Sequence, residues 1–259
     1  MSLGLGVGFY GLAGNDIVVD TSPTGIAGAD LALWYKFDTG ITANASNEVS
    51  KWDDQSSNGR HATQGVDANK ATLVNGSLDF EADNSDHYDF TNIQIADQGG
   101  FCFAAVITPE NTGGNPSVAN STIFGKSSPA QHHVFKLQST SVFLFRSGLN
   151  ASTVQTEFHF ETNTFTPNKM LLVLNRSRGA SNVFTFMKNG NTLTPDTDNS
   201  INEANGENAI GFDIDTLSGR TGSSQFFDGI MHEIAFWNEG LDATQLAAVN
   251  SYFKDKHGL

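Results

Sequence analysis

The sequence predicts an all-β protein, an antiparallel two-sheet sandwich of jelly-roll type with an extended N-terminal arm and one short C-terminal helix. Three observations predict it. After residue 30 the chain is a succession of short apolar or alternating runs with turn residues between them. Twenty Phe against four Tyr and three Trp, with 26 Gly, favour many strands and tight turns over helices. A single well-punctuated helix follows the last run, and strands followed by one terminal helix suit a sandwich.

Taken in order, Leu3, Leu5, Val7 and Phe9 alternate with Gly4, Gly6 and Gly8. An extended segment of that pattern has one apolar face and one bare face, which lets another backbone come close. Residues 20–28 are turn and linker chemistry, so residues 1–28 read as an arm and linker and residues 29–259 as one domain. Residues 101–107 and 170–174 are apolar on both faces and read as central strands. Phe135 and Leu137 alternate with Lys136 and Gln138, and Phe143 and Phe145 with smaller or polar neighbours, as in half-buried strands. Residues 156–161 put Phe158 and Phe160 inward and Glu157, His159 and Glu161 outward. Residues 182–188 run into Asn189-Gly190, a two-residue hairpin signal.

Residues 230–237 form a bulky β-favouring run that Asn238-Glu239-Gly240 breaks. Behind it, Asp242 and Gln245 make a capping box and Leu241 and Leu246 occupy staple positions. Leu246, Val249 and Phe253 then follow at helical spacing, a stripe suited to docking on a sheet. Lys254, Lys256 and His257 crowd the negative helix end, and Gly258 supplies the left-handed stop.

The net charge of −14, from 14 basic and 28 acidic residues, is spread along the chain without a basic patch, which argues against nucleic-acid binding. The one cysteine, Cys102, lies in an apolar run and admits no intrachain disulfide. No apolar stretch reaches membrane-spanning length, so membrane insertion is not expected. The first residues have no basic region and their apolar run is interrupted by Gly, a poor export signal.

The end of the chain, FFDGIMHEIAFWNEGLDATQLAAVNSYFKDKHGL, resembles the closing strand and helix of the laminin-G-like branch of the concanavalin A-like lectin and glucanase superfamily. Two further blocks carry the resemblance. LALWYKFDTGITANASNEVSKWDDQSSNGRHATQ is similar to the family's opening, an aromatic strand leading to Trp-Asp and a Ser-Asn-Gly turn. GSLDFEADNSDHY is similar to its Leu-Asp-Phe strand and acidic loop. The resemblance implies a jelly-roll lectin-like domain and Ca²⁺ held at loop carboxylates, with Asp83, Asn84 and Asp86 as the first metal candidates and Asp213, Asp215 and Asp228 the second.

Enzymatic activity is not expected. The superfamily's glucanases carry alternating Glu and Asp on one strand face, and the nearest pattern, Asp213-Ile214-Asp215, has no Glu and no third acid in phase. Nor is there a nucleophile-elbow motif. Glu157, His159 and Glu161 share a strand face and could hold Zn²⁺, but surface ion pairs explain the same pattern. His132 and His133, being adjacent, point to opposite faces. Sugar binding needs exposed aromatic platforms beside hydrogen-bonding groups; Trp34, Trp52 and Trp237 read as core, leaving Asn84, His87 and Tyr88 as ligand-binding candidates.

Two functional classes follow. The first is a non-enzymatic bacteriophage virion protein, a capsid decoration or tail-fibre component. In it the arm residues Leu3, Leu5, Val7 and Phe9 would join other virion proteins, the chain would be a homo-oligomer in the particle, and a glycan-binding surface would be displayed. The opening Met-Ser-Leu-Gly-Leu-Gly resembles openings of phage structural genes. The second is a bacterial extracellular carbohydrate-binding or adhesion module meeting cell-surface glycans.

Overall fold

The computed structural model describes residues 22–26, 29–110, 121–126, 133–139, 142–148, 155–161, 167–177, 184–198, 211–219 and 225–259. The arm residues Leu3, Leu5, Val7 and Phe9 lie outside them, as does His132.

The first strands are β1 (Leu31–Tyr35), β2 (Ile41–Ala43), β3 (Val49–Trp52), β4 (Ala62–Thr63), β5 (Thr72–Val74), β6 (Ser77–Phe80) and β7 (Tyr88–Ile95). Then come β8 (Phe101–Pro109), β9 (Ser121–Gly125), β10 (Val134–Leu137), β11 (Val142–Gly148), β12 (Gln155–Glu161) and β13 (Met170–Arg176). The last are β14 (Phe184–Lys188), β15 (Asn191–Leu193), β16 (Pro195–Asp198), β17 (Phe212–Leu217) and β18 (Gly229–Trp237), followed by helix α1 (Ala243–His257). They form two antiparallel sheets packed as a sandwich. An eight-stranded sheet runs β15-β14-β13-β8-β18-β6-β5, with β1 also on β18, and a ten-stranded sheet runs β16-β12-β11-β10-β9-β17-β7-β4-β3-β2.

Alternation explains the layers. In β8, Phe101, Phe103, Ala105 and Ile107 enter the core between the sheets. Cys102, Ala104 and Val106 face the opposite way, into a second apolar layer with Leu171, Val173, Trp237 and the helix residues Leu246, Val249 and Phe253. That is why this run is apolar on both faces: one side meets a sheet and the other a helix. Burial pushes the Cys102 thiol up, away from the reactive thiolate. The inter-sheet core is built of phenylalanine, with Phe101 4.9 Å edge-on from Phe212 and 5.8 Å from Phe236 in a stacked pair. Buried Arg176 closes its end, lying over the Phe101 ring and donating to the Gly99 carbonyl.

Local signals read from sequence recur as geometry. Asn189 and Gly190 both have positive φ, 52° and 82°, the requirement of the tight hairpin joining β14 and β15. Asp242 accepts from the Gln245 N–H while the Gln245 side chain accepts from the Asp242 N–H, both at 2.8 Å, and Gly258 ends α1 in the left-handed conformation. The Trp-Asp and Ser-Asn-Gly block forms a lock. Buried Asp54 accepts from the N–H groups of Trp34, Ser56 and Arg60, and Asn58 donates to the Leu31 and Ala32 carbonyls.

Polar groups as well as apolar ones dock α1. Glu233, fully buried in β18, accepts from Trp34 Nε1 at 2.8 Å, Tyr252 Oη at 3.0 Å, Lys256 Nζ at 2.7 Å and His257 Nε2 at 2.8 Å. Burial pushes its carboxyl up, but the hydrogen bonds from His257 and Lys256 outweigh that and hold it below the usual range. Gly240, where β18 hands over to the helix, packs so closely on the Arg176 carbonyl that a Cβ would collide with it.

Candidate functional site

β6, β18 and β8 lie side by side, and Phe80, Gly229 and Pro109 share one row of the sheet. The next residues outward, Glu81, Asp228 and Glu110, therefore emerge together at the rim. Gly229 permits the close spacing, since its φ is 126° and a Cβ there would strike the Thr108 carbonyl. Asp79 adds a fourth acid, and carboxylate oxygens of Asp79, Glu81 and Glu110 all lie within 4.8 Å of one another. Asp86 is buried behind them, its Oδ2 accepting from the Glu81 N–H at 2.9 Å. Burial, then repulsion from Glu81, Asp228 and Asp86, raises the Asp79 carboxyl; burial and neighbouring acids likewise raise Glu81 and Glu110.

The residues expected to bind a ligand or metal do not gather as the sequence suggested. Asp83 and Asn84 sit exposed in the short turn Ala82–Asn84, whereas Asp86 is turned inward, so Asp83, Asn84 and Asp86 do not present one set of ligands. His87 is half-buried, hydrogen-bonded through Nδ1 to the Ser85 carbonyl and leaning on Phe226 at 5.7 Å. Tyr88 is a correction: it is fully buried, donating to the Val49 carbonyl at 2.7 Å and accepting from the Ala71 N–H at 3.1 Å. Its ring is core and cannot serve as an exposed sugar platform. Trp34, Trp52 and Trp237 are buried, as expected.

On the outer side of the larger sheet, Lys126 Nζ bridges Asp213 Oδ2 at 2.9 Å and Asp215 Oδ2 at 3.0 Å and donates to Asn92. These aspartates thus hold an ammonium, while Asp228, the other second-choice metal residue, stands in the acidic rim. Burial lowers the His133 imidazole despite Asp213 2.9 Å away, which keeps the ring neutral. Glu157 pairs with Arg146 and, at 2.8 Å, with His159, the ion-pair outcome that the sequence allowed. Burial would raise Glu157, but Arg146 and His159 bring it below its ordinary value. The side chain of Glu161 lies outside the described residues.

Two neighbouring pockets that the sequence did not announce lie at one end of the sandwich, and Gln94, Ile95, Ala96 and Asp97 line both. One, about 310 Å³, is completed by Gly99, Gly100, Asn238, Glu239 and Gly240. The other, about 420 Å³, is completed by His133, Gly211, Phe212 and Asp213. Asp97 Oδ1 accepts from the Gly211 N–H and Glu239 Oε1 from the Asp30 N–H, each at 2.6 Å. Asn238 Oδ1 is shielded from solvent and has no hydrogen-bond partner among the described residues. These residues sit in turns where Gly, Asn and Asp are ordinary, so nothing in their local pattern marks them as a site.

No protein-family model and no curated protein sequence matches the chain. Solved structures do. The binding domain of Paraclostridial Mosquitocidal Protein 1 superposes with a TM-score of 0.55 at 9% identity, covering 86% of this chain and 52% of that one. Trypanosoma rangeli sialidase superposes with a TM-score of 0.51 at 15% identity, covering 89% of this chain and 35% of that one. Domain 4 of AbnA, a GH43 extracellular arabinanase from Geobacillus stearothermophilus, gives 0.46 at 14% identity, covering 86% of this chain and 98% of that one. The chain thus spans about half of the mosquitocidal chain and about a third of the sialidase. At these identities the likeness establishes a shared all-β sandwich fold. It also withdraws the expectation of a non-enzyme, because the fold occurs within a chain that is a sialidase. The missing Glu/Asp alternation spoke only against the glucanase arrangement.

Proposed function

We propose that this chain is a carbohydrate-binding β-sandwich module and that the two pockets sharing residues 94–97 receive the sugar. The observation that carries this is the lining of the two neighbouring pockets: Gln94, Asp97, His133, Asp213, Asn238 and Glu239 bring amide, imidazole and carboxylate groups to them. Sugar hydroxyls both donate and accept, and such mixed groups answer both needs. The presence of the fold in the binding domain of a mosquitocidal protein and in a sialidase chain supports the reading. Phe212, the one Phe, Tyr or Trp of the lining among the described residues, is only 2% exposed, so the described groups recognise a sugar through hydrogen bonds and affinity should be modest.

Gln94 is exposed, so Gln94→Ala should leave the fold intact. On a glycan array of neutral and sialylated oligosaccharides, followed by titration calorimetry of the hits, the native chain should bind. Gln94→Ala and Asn238→Ala should bind several-fold more weakly with little change in melting temperature. Absence of binding, or binding indifferent to both substitutions, would overturn the assignment. The same panel, assayed for released reducing sugar, reads out hydrolysis directly.

The finer placement on a bacteriophage virion, with other virion proteins engaged through Leu3, Leu5, Val7 and Phe9, is a separate proposal that draws no support from these neighbours. Copurification of the chain with intact particles is its test, and a chain never found with particles sinks it.

A further inference from the structure

We propose that the pocket between α1 and β14 binds a small neutral amphiphile, an apolar chain ending in one group that both donates and accepts a hydrogen bond, such as a hydroxyl. The seating of the helix explains why there is a pocket. Leu246, Val249 and Phe253 pack α1 over Leu171 and Val173 of β13 and Ala104 and Val106 of β8. Thr185 and Met187 of β14 are thereby left half-buried at its flank, and toward them the helix carries Ala243 and Ala247, whose small side chains leave a gap. With Leu241 and Leu246 on one side and Asn250 and Gly190 at one end, the space amounts to about 600 Å³, within the range of about 300–1,000 Å³ usual for small-molecule sites.

The polar end selects the chemistry. Asn250 is only 8% exposed, and its amide nitrogen donates to the Leu246 carbonyl at 2.8 Å and to the Met187 sulfur at 3.2 Å. Both partners are acceptors, which fixes the orientation of the amide and leaves Oδ1 shielded from solvent and without a hydrogen-bond partner among the described residues. Buried amide oxygens are seldom left in that state. Lys254 lies next to it. A Cβ on Gly190 would sit 3.4 Å from Lys254 Nζ and 3.7 Å from Asn250 Oδ1, so an ammonium and an amide oxygen both border the bare space over that glycine. Lys254 Nζ makes no ion pair or hydrogen bond among the described residues. Its stem is flexible, and moving it opens Asn250 Oδ1 to a head group.

A hydroxyl there donates to Asn250 Oδ1 and accepts from Lys254 Nζ. A carboxylate would satisfy Lys254 but set its charge against the amide oxygen, and an ammonium would do the reverse. The body of the ligand meets Met187, Leu241, Leu246, Ala243 and Ala247, a lining made for hydrocarbon, with a methionine that adapts to its shape. The pocket shares no lining residue with the two sugar pockets, so the inference stands apart from the carbohydrate reading.

The test uses the full chain, isotope-labelled at its methionine methyls and titrated with octanol, octanoate and octylamine under NMR observation. Octanol should shift the Met187 methyl to saturation with a dissociation constant on the order of 1 mM, while the methyls of Met170 and Met231, in the core between the sheets, stay in place. Octanoate and octylamine should each bind several-fold more weakly. Ala247 is exposed, so Ala247→Trp fills the pocket from its rim; it should abolish the shift at an unchanged melting temperature. Lys254→Met keeps the stem without the ammonium, and should weaken octanol binding several-fold and erase its advantage over octylamine. The proposal is overturned if octanol near its solubility limit leaves Met187 unmoved, if the shift survives in Ala247→Trp, or if octanoate binds as well as octanol. Sedimentation that shows a dimer dispersed by Ala247→Trp would assign the pocket to a second copy of the chain and overturn it equally.

Discussion

At the scale of single residues, the buried acids and imidazoles of β18 govern how stability depends on pH. Glu233 is fully buried among His257, Lys256, Trp34 and Tyr252. Glu233→Gln should cost about 1–3 kcal/mol in urea unfolding, because it replaces the buried, charged acceptor shared by Trp34, Tyr252, Lys256 and His257 with a neutral amide. The native carboxyl is held low, so its contribution is present above the unfolded value of about 4.3 and is lost as pH falls through the lower folded value. His232 sits between Ser77 Oγ and Thr108 Oγ1, each 2.8 Å away, and burial lowers it to about 4. The unfolded chain, with His near about 6.5, takes the proton first, so stability is lost between roughly that pH and 4. The raised acids Asp79, Glu81 and Glu110 act in the opposite sense, since the folded chain takes up their protons first and regains stability as pH falls. The clean measurement is therefore a difference between native chain and His232→Gln. The variant should lack about 2 kcal/mol of pH dependence across that window, and parallel curves would refute the role of His232. None of this was legible beforehand. Glu233 and His232 look like ordinary polar members of a strand until Lys256 and His257, read as charges on a helix end, turn back onto Glu233.

At the scale of elements, the helix was the most legible part, because capping and stripe are local in sequence. Asp242→Ala should lower stability by about 1 kcal/mol, and Phe253→Ala by about 3–5 kcal/mol, both measurable as shifts in denaturation midpoint at unchanged slope. An unchanged midpoint in Phe253→Ala would mean that the helix is not held by its stripe. The strands were legible as strands, since Phe135, Leu137, Phe143, Phe145, Phe158 and Phe160 all enter the core that their alternation implied. What alternation cannot say is whether the opposite face is covered. Lys136 and Glu157 occupy the outward positions, yet they are buried, at 5% and 4% exposure. Tyr88 fails for a similar reason. Its acidic surroundings suggested a surface, but the groups that bind its hydroxyl, Val49 and Ala71, lie 39 and 17 residues away. The rim acids were half legible: Asp79 and Glu81 border the acidic loop, whereas Glu110 arrives only through the shared row with Gly229.

At the scale of the whole molecule, the core of Phe-rich sheets and the helix layer share β8 and β18, so residues 29–259 should melt in one cooperative transition with β-type circular dichroism. Two well-separated transitions would divide that unit. β18 has a further consequence, because one of its edges is completed by two strands from far upstream. Its first half pairs with β6 and its second with β1, and the Asp30 N–H reaches Glu239 across 209 residues. Closing so long a loop comes late and slowly in folding. A nascent chain must therefore wait, with β1, β6 and β8 lacking their common neighbour, until residues 229–237 have left the ribosome. During that interval those strands present unpaired edges, and a chain truncated before residue 229 should aggregate rather than give a smaller folded protein.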